Sequence, residues 1–395
     1  MEVKPGYKQT EVGVIPNEWE VKTLGSLLSK GRLGGNYSNQ DSEAELPLMK
    51  MGNLARGFFD LSKVQFITPG VRPEPQHLLV YGDVLFNTRN TLDLVGKVAI
   101  WRDELPVAYY NSNLMRLEFD TDQIYPNEYA NYALNIEGAV SRLRALATGT
   151  TSVAAIYTRD LMRLHVLVPP ILEQRAIAEA LSDVDALLSG LDRLIAKKRD
   201  LKQATMQQLL TGQTRLPGFH GDWEVKRLGD VVQIKKGELI TGTTLMPGDI
   251  PVIAGGKQPA YYHASANRFG RTVTISASGA SAGYVALYSE PIFASDCSTI
   301  NESESYCLDF VFYHLLCKQQ TIYKAQTGGA QPHIHARDLN PILFSFPPIP
   351  EQTAIASVLS EMDAELTGLK QRREKTRALK QAMMQELLTG RTRLV

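Results

Sequence analysis

Cysteine is scarce in this chain of 395 residues, which contains three: Cys297, Cys307 and Cys317. Three evenly spaced cysteines supply neither a disulfide framework nor a CxxC zinc pair, so a reducing cytoplasm is the expected location. The sequence has no stretch of about 18 apolar residues, which argues against a membrane span. It begins MEVKPGYKQT, without the basic-then-apolar run of a signal peptide, so we expect none.

An excess of positive charge is also missing, because 42 basic residues balance 42 acidic ones. A stand-alone nucleic-acid-binding protein usually carries a clear basic excess. If this chain contacts DNA, its basic groups must cluster on one face, or a partner must supply much of the phosphate contact. Apolar residues make up 44% of the chain. That fraction allows sizeable cores, and the length suits two or three domains.

Motifs of the common enzyme classes are absent from the sequence. The segment GGKQ at 255–258 lacks the first glycine and the final hydroxyl of a phosphate loop. No glycine-rich dinucleotide motif follows an expected strand. Both Pro-Pro pairs are followed by isoleucine, so the Asn/Asp-Pro-Pro-aromatic tetrad of a DNA amino-methyltransferase is missing.

Two weaker patterns allow more than one interpretation. The triplet Glu-Val-Lys at 20–22 and 224–226 superficially matches the carboxylate-x-lysine end of a metal nuclease site. It fits better a strand with alternating faces that opens each globule. His333 and His335 are the one histidine pair with metal-ligand spacing, which is a slender basis for a zinc site.

An internal repeat is the strongest feature of the sequence. Residues 169–216 align without gaps with 347–394, 178 positions later, at 30 identities in 48 positions. The match runs from PPILEQRAIA and PPIPEQTAIA to LLTGQTRL and LLTGRTRL. A second repeat, WEVKTLG at 19–25 and WEVKRLG at 223–229, opens each variable region. The sequence therefore predicts two tandem units, with variable globules at 1–168 and 217–346 and constant segments at 169–216 and 347–395.

Each constant segment is predicted to be one long helix with an apolar stripe. The 4-3-4-3-4 spacing is typical of a coiled coil, and a helix of about 39 residues is roughly 58 Å long. Proline before each helix and glycine near its end fit the boundaries. The stripe consists of Ile177, Leu181, Val184, Leu188, Leu191, Ile195, Ile355, Leu359, Met362, Leu366 and Leu369.

Each stripe needs a partner, and the other copy of the helix is the obvious one. Two units related by a local two-fold axis make an isologous contact, which predicts antiparallel helices with the globules at opposite ends. The segment LLTGRTRLV stops where the first copy continues into PGFHGDWEVK, so we also expect the two chain ends to be neighbours. Charged bands at 197–202 and 372–377 are either solvated helix faces or contacts to a partner.

The two globules share a pattern but little identity. Short apolar runs between glycine-rich turns predict strands, followed by a helix at 127–147 or 309–325. Each globule then reaches a small-residue turn, TGTTS or TGGAQ, and a matched Arg-Asp-Leu at 159–161 and 337–339. The predicted fold class is α+β.

The loops carry side chains suited to base edges and phosphates. Arginine and lysine form paired hydrogen bonds with guanine edges, and asparagine and glutamine form them with adenine. We place the strongest expectation on Arg89, Lys257 and Gln331. The candidates in the first globule are Lys50, Asn53, Arg89, Asn90, Thr91, Tyr110, Asn111, Asn113, Thr150 and Ser152. In the second globule they are Lys257, Gln258, Tyr261, Tyr262, Arg268, Ser278, Ser281, Gln331 and His333.

This organisation resembles the specificity subunits of type I restriction-modification systems. The resemblance covers essentially the whole chain and rests on PPIxEQxAIA, LLTGxTRL, WEVKxLG and Arg-Asp-Leu, each present twice in the same order. It departs from the pattern in the first globule, where TGTTSVAAI lacks the Gln-Pro of TGGAQPHI.

The resemblance implies a subunit without catalytic residues. Each globule would be a target recognition domain for one half of a bipartite DNA site, and the paired helices would set the spacer between the halves. Two methyltransferase subunits carrying S-adenosylmethionine would dock on it. A restriction subunit driven by ATP with Mg²⁺ would join for cleavage. No cofactor or metal is expected on this chain itself.

Two other classes of function compete with this one. The first is a protein-interaction scaffold of such a complex whose globules bind no DNA. The second is a self-sufficient enzyme, such as a fused methyltransferase-nuclease, which would need the motifs that the sequence lacks.

Overall fold

The computed structural model describes residues 4–150, 152–240, 246–328 and 331–394. The chain divides into two compact units. Unit 1 comprises Met1–Gly190 and Arg373–Val395, and unit 2 comprises Leu191–Arg372. Each unit thus contains one globule and about half of each repeated segment. The boundaries between the units therefore fall inside the repeated segments and not between a globule and the segment that follows it. Among the described residues, no helix has both the length and the apolar character needed to cross a membrane.

Unit 1 is built around an antiparallel sheet with a core on each face. Its central strand, Val84–Asn87, is buried throughout: Val84 and Phe86 belong to one core, and Leu85 belongs to the other. The alternation follows the two-residue period of a strand. The strand order is Val98–Ile100, Val84–Asn87, Leu114–Phe119, Leu28–Leu33.

Smaller sheets and short helices complete unit 1. A second four-stranded sheet has the order Tyr109–Tyr110, Pro47–Met49, Gln65–Ile67, Asn39–Gln40, and its first pair is parallel. The remaining strands are Thr148–Gly149, Ala154–Ala155 and Arg89–Asn90 in one sheet, Glu20–Thr23 with His165–Val168, and Tyr7–Thr10 with Gly13–Pro16. The helices of the globule are Leu24–Leu27, Asn127–Asn135, Glu137–Ala145 and Thr158–Leu161, with 3₁₀ turns at Met51–Asn53 and Pro75–His77.

Unit 2 repeats this topology with different residues. Its four-stranded sheet has the matching order Val285–Tyr288, Thr272–Ser276, Cys297–Asn301, Lys235–Lys236. A three-stranded sheet, Tyr261–His263, Ile250–Ile253 and Phe293–Ala294, again contains one parallel pair. The strand Glu224–Arg227 pairs with Leu343–Phe346, as Glu20–Thr23 pairs with His165–Val168. The helices of this globule are Leu228–Val231, Leu308–Cys317, Gln319–Lys324 and Ala336–Leu339, with a 3₁₀ turn at Gly279–Ser281. The α+β prediction is confirmed, and both Glu-Val-Lys triplets lie in strands. The prediction that this strand opens each globule was wrong for unit 1, where Tyr7–Thr10 and Gly13–Pro16 come first, and burial does not alternate along either strand.

The single helix predicted in each globule is interrupted once. Residues 127–147 form two helices separated at Ile136, whose backbone is extended (φ −67°, ψ 147°). Residues 309–325 are divided at Lys318, which has φ −90° and ψ 11°. The prediction of continuous helices was therefore wrong at these residues, because apolar periodicity carries no signal for a one-residue break.

The two repeated segments form the first long helix, Ile171–Leu210, and the second long helix, Ile349–Leu387. Each begins directly after a Pro-Pro pair. Gly212 and Gly390 follow the helix ends with φ of 71° and 70°, the left-handed conformation that favours glycine. None of the eleven stripe residues is exposed: Ile177, Leu181, Leu191, Ile195, Ile355, Leu359 and Leu366 are buried, and Val184, Leu188, Met362 and Leu369 are half-buried.

Ion pairs show that the helix segments run antiparallel within each unit. In unit 1, Asp185 contacts Lys380 at 2.6 Å, and Glu173, nearer the start of its helix, contacts Arg393, which follows the end of the other. In unit 2, Lys198 contacts Glu365 at 2.7 Å and Lys202 contacts Asp363 at 2.6 Å. Two lysines of the charged band at 197–202 thus contact the other helix, so the band is not only a solvated face.

A tyrosine from each globule joins this helix pairing. The Tyr132 hydroxyl donates to Asp185 at 2.7 Å, and Lys380 lies 5.2 Å from the centre of the Tyr132 ring. In unit 2, Tyr313, Asp363 and Lys202 repeat the arrangement, at 2.9 Å and 5.2 Å. Burial raises the pKa of both tyrosines. Each globule is therefore fixed to both helices by the same three side chains.

A second repeated cluster, which we call the junction, lies where each long helix begins. In unit 1, the buried Glu173 carboxylate accepts hydrogen bonds from Trp19 Nε1 at 2.8 Å and from Arg393 at 2.5 and 2.8 Å. Arg393 also contacts Glu18 at 2.8 Å, and the Tyr7 hydroxyl donates to the Gly390 carbonyl at 3.0 Å. Residues near the two chain ends are therefore neighbours, as the sequence predicted.

The junction of unit 2 uses the equivalent residues. Glu351 accepts from Trp223 Nε1 at 3.2 Å and from Arg215 at 2.6 and 2.7 Å. Beside the glutamate, Gln352 donates to the Pro347 carbonyl and accepts from the Cys307 amide, as Gln174 does with Pro169 and Tyr125. The Glu-Gln and Thr-Arg-Leu parts of the repeat thus have one structural explanation: the arginine after one helix pairs with the glutamate that begins the other.

A buried histidine in unit 2 gives a pH prediction. His314 is 2% exposed and stacks on Phe344 with ring centroids 4.2 Å apart, and neither ring nitrogen has a hydrogen-bond partner. Burial lowers the pKa of His314 to about 4, and nearby Lys318 contributes in the same direction. Because the unfolded chain then binds the proton more readily than the folded chain, stability should fall as the pH drops from about 6.5 to about 4.

Replacing His314 by phenylalanine should remove this part of the acid sensitivity. We expect the urea midpoint of H314F to change less than that of the unsubstituted chain between pH 7.5 and pH 4.5, by an amount equivalent to roughly 2–3 kcal/mol. The matched control is H220F, the same substitution at an exposed position of unit 2. It should keep the original pH profile. An equal acid response in H314F would contradict the assignment.

Candidate nucleic-acid interface

Several candidate residues of unit 1 meet where a turn pairs with a strand, whereas Lys50 and Asn53 contact other loops. Arg89–Asn90 pairs with Ala154–Ala155, which in turn pairs with Thr148–Gly149. The Ile156 amide donates to the Thr88 carbonyl at 3.0 Å, and Thr88 contacts Asn113 through both its amide and its hydroxyl. The sheet therefore brings together the segment 89–91, the hydroxyl-rich turn 148–152 and the segment YYNSN at 109–113, which carries Asn113. We call this surface turn cluster 1; residue 151 of the turn lies outside the described residues.

Unit 2 contains the equivalent surface, which we call turn cluster 2. Ser278 forms an antiparallel bridge with His333, and the Ile334 amide donates to the Ala277 carbonyl at 2.9 Å. The Gly279 amide donates to the Pro332 carbonyl at 3.0 Å. The segment that follows the strand Thr272–Ser276 and carries Ser278 thus meets the turn carrying Gln331 and His333. Residues 329–330 of that turn lie outside the described residues.

Gly255 of the segment GGKQ packs closely against turn cluster 2. A Cβ added to Gly255 would lie 2.6 Å from the Ser278 carbonyl oxygen, so only glycine allows this approach. Lys257 follows and is exposed, with its ammonium 5.6 Å from the centre of the Tyr284 ring. The segment GGKQ lacks the residues of a phosphate loop, but it places Lys257 at the candidate surface.

Comparison with known proteins identifies the class to which this repeated architecture belongs. The family model for the type I restriction modification DNA specificity domain matches residues 220–377. The putative type I restriction enzyme MjaX specificity subunit of Methanocaldococcus jannaschii is 24% identical over 432 residues, covering 98% of this chain and 97% of that protein. The chain is similar over nearly its whole length to the family of type I specificity subunits. Members of this family are the non-catalytic DNA-recognition subunits of their complexes, the class that the sequence predicted.

Further similarities extend over nearly the whole specificity subunit. The type I restriction enzyme MjaVIII specificity subunit of the same archaeon is 22% identical, covering 96% of this chain and 94% of that protein. The crystal structure of the type I S subunit from M. genitalium matches with a TM-score of 0.64 at 17% identity, covering 98% of both chains. At that identity the structural match shows a shared fold.

The predicted base-contacting residues of this specificity subunit differ in exposure. The exposed ones are Arg89, Thr150, Ser152, Lys257, Gln258, Tyr261, Tyr262 and Gln331. The half-buried ones are Lys50, Asn90, Thr91, Asn113, Arg268, Ser278, Ser281 and His333. Tyr110, Asn53 and Asn111 are buried.

Several of the less exposed side chains stabilise the globules from within. Tyr110 donates to the Arg32 carbonyl at 3.3 Å, and burial raises the pKa of its hydroxyl to about 12. Asn53 donates to the carbonyls of Asp60 and Lys63 and so closes a loop. Arg268 donates to Thr299 and to the carbonyls of Asn267 and Lys236. Their hydrogen-bonding groups are engaged in the fold, so we do not carry these three residues into the proposal below.

Sequence reasoning passed over two exposed aromatic side chains. Tyr157 follows turn 148–155 and is 59% exposed, and Phe269 in unit 2 is 71% exposed. Aromatic composition alone could not distinguish them from core residues such as Trp101, which is 1% exposed. Among the described residues, no group of three or more His, Cys, Asp or Glu side chains is placed to hold a metal ion.

Proposed function

We propose that each unit of this specificity subunit recognises one half of a split duplex DNA site through its turn cluster. The observation that carries the proposal is that one strand-and-turn pairing occurs twice with different side chains. Cluster 1 presents Arg89, Asn90 and the hydroxyls of Thr150 and Ser152, whereas cluster 2 presents Lys257 and Gln331. One framework with two sets of hydrogen-bonding groups suits two different half-sites.

The equal numbers of basic and acidic residues support a DNA-recognition subunit that works together with partner subunits. With 42 basic and 42 acidic residues, the chain has little excess charge for holding DNA by itself. We infer that two methyltransferase subunits dock on the duplicated framework and supply phosphate contacts. S-adenosylmethionine would then be held by those subunits, and ATP and Mg²⁺ by a restriction subunit with translocase activity. Such a complex would act in the cytoplasm, where its DNA lies.

The methylated motif of a host genome tests the proposal. The chain would be expressed with its cognate methyltransferase subunit, and methylated adenines would be mapped against a host expressing the methyltransferase subunit alone. We expect a split motif, two short specified blocks with a fixed gap, only when this chain is present. Exchanging Lys257 and Gln331 for alanine should relax bases in one block and leave the other intact, because these residues belong to unit 2 alone.

Two outcomes would contradict the proposal. Identical methylation with and without the chain would favour a scaffold whose globules bind no DNA. Relaxation of both blocks by the Lys257 and Gln331 substitutions would show that the units do not recognise their half-sites independently.

A further inference from the structure

The repeated Arg-Asp-Leu segment contains one residue that the fold does not explain. Leu161 and Leu339 are fully buried in the cores of their units, and Asp338 accepts a hydrogen bond from the His335 amide at 2.9 Å. The arginines differ: the side chains of Arg159 and Arg337 are 79% and 77% exposed. Each lies near the aspartate beside it, at 3.4 Å and 3.7 Å, and a surface pair of this kind contributes little to stability.

These arginines are nevertheless kept where the neighbouring sequence has diverged. They are 178 positions apart, the same shift as the long-helix repeat. The strands that follow them, His165–Val168 and Leu343–Phe346, differ at all four aligned positions (HVLV and LFSF). Between the two turns and these strands, the aligned identities are an isoleucine, Ile156 or Ile334, and the Arg-Asp-Leu triplet.

The isoleucine places each arginine close to its turn cluster. The Ile156 amide donates a hydrogen bond to the carbonyl of Thr88, the residue before Arg89. The Ile334 amide donates a hydrogen bond to the carbonyl of Ala277, the residue before Ser278. Each exposed arginine therefore lies three residues after the isoleucine whose amide joins the turn to the segment that carries a predicted base contact. The position is the same in both units, whereas the side chains of the turns differ.

We propose that Arg159 and Arg337 are equivalent phosphate-binding residues that position each turn cluster on the DNA backbone. The inference rests on the proposed DNA recognition and goes beyond it, because these residues were not among the candidate base contacts. A guanidinium forms paired hydrogen bonds with phosphate oxygens. Phosphate contacts fix orientation without carrying sequence information. The same arginine therefore serves two globules that recognise different bases.

The salt dependence of DNA binding tests the assignment. The complex with the cognate methyltransferase subunit would be titrated at several salt concentrations with a duplex carrying the mapped motif and with a scrambled duplex. For R159A and R337A we expect the slope of log K against log salt to fall by about 1 each, and by about 2 for the double variant, on both duplexes. R159K and R337K keep the charge and should keep most of the slope.

A matched control is available in the repeat itself. Arg391 is 61% exposed, and the aligned position in the first copy is Gln213, so R391Q removes an exposed arginine in a way that the chain already tolerates once. R391Q should leave the slope unchanged. Because all three arginines are exposed, the melting temperature should not change in any variant, which separates a binding defect from a folding defect.

Two results would overturn the assignment. An unchanged slope in the R159A/R337A double variant would exclude phosphate contacts. An altered methylated motif in either single variant would make the arginine a base contact instead. If the unsubstituted complex showed a salt-dependent affinity but no preference for the motif, the proposal of sequence recognition would fail while the phosphate assignment remained measurable on the scrambled duplex.

Discussion

R393A should destabilise unit 1 by about 3–5 kcal/mol, the cost of leaving a buried charge without its partner. Glu173 is fully buried, and Arg393 supplies two of the hydrogen bonds to its carboxylate, the third coming from Trp19. Since Trp19 is neutral, the substitution leaves the negative charge uncompensated at the start of the first long helix. Urea unfolding of the full chain, followed by tryptophan fluorescence, measures the loss.

The control for this prediction lies two residues away. R391Q removes a positive charge from the same segment, but the side chain of its partner Glu386 is 45% exposed and lies 3.8 Å away, so stability should change little. R215A should weaken unit 2 in the same direction, because Arg215 makes the equivalent pair with Glu351. Equal stabilities for R393A and R391Q would show that the junction does not hold unit 1 together.

A heptad inserted into both long helices should lengthen the gap in the methylated motif without changing the bases of either block. The insertions belong after Gly190 and after Arg372, where the chain passes from one unit to the other. Placed there, they leave the Asp185–Lys380 pair of unit 1 and the Lys202–Asp363 pair of unit 2 in their original register. Seven helical residues add about 10 Å, equivalent to about three base pairs of duplex.

An insertion into one helix alone is the matched control. The segments joining the two units would then differ by seven residues, so the helices could not keep both sets of pairs, and we expect loss of methylation at the motif. Mapping methylated adenines distinguishes the variants. A double-insertion variant that methylated the original motif with its original gap would refute the idea that the helices set the spacing.

Repetition within the sequence was sufficient to predict the framework. The period of the apolar stripe predicted two long helices, and the glycines at 212 and 390 marked where they end. The symmetry of a tandem repeat predicted their antiparallel direction, which the Asp185–Lys380 and Lys202–Asp363 contacts show within each unit. The physical reason is that a motif present twice indicates a structural requirement that both copies share.

The candidate site was less accessible to sequence reasoning, because exposure depends on contacts between distant residues. Tyr110 and Asn53 are residue types common in surface loops, yet both are buried, and they donate hydrogen bonds to the carbonyls of Arg32 and Lys63. The junction was missed for the same reason: Glu173 and Arg393 are 220 positions apart, and each alone is an ordinary charged residue. Aligning the two copies could have found it, since the glutamate and the arginine are identical in both.

The division of the chain into units also sets an order of synthesis. Unit 2 is a single continuous segment, Leu191–Arg372, whereas unit 1 combines Met1–Gly190 with Arg373–Val395. A ribosome that has made the first globule must therefore complete all of unit 2 before Arg393 is available to Glu173. The unit begun first is finished last, and until residues 373–395 emerge its buried glutamate lacks the counter-charge. A nascent chain is thus most exposed to proteases and chaperones in its oldest part.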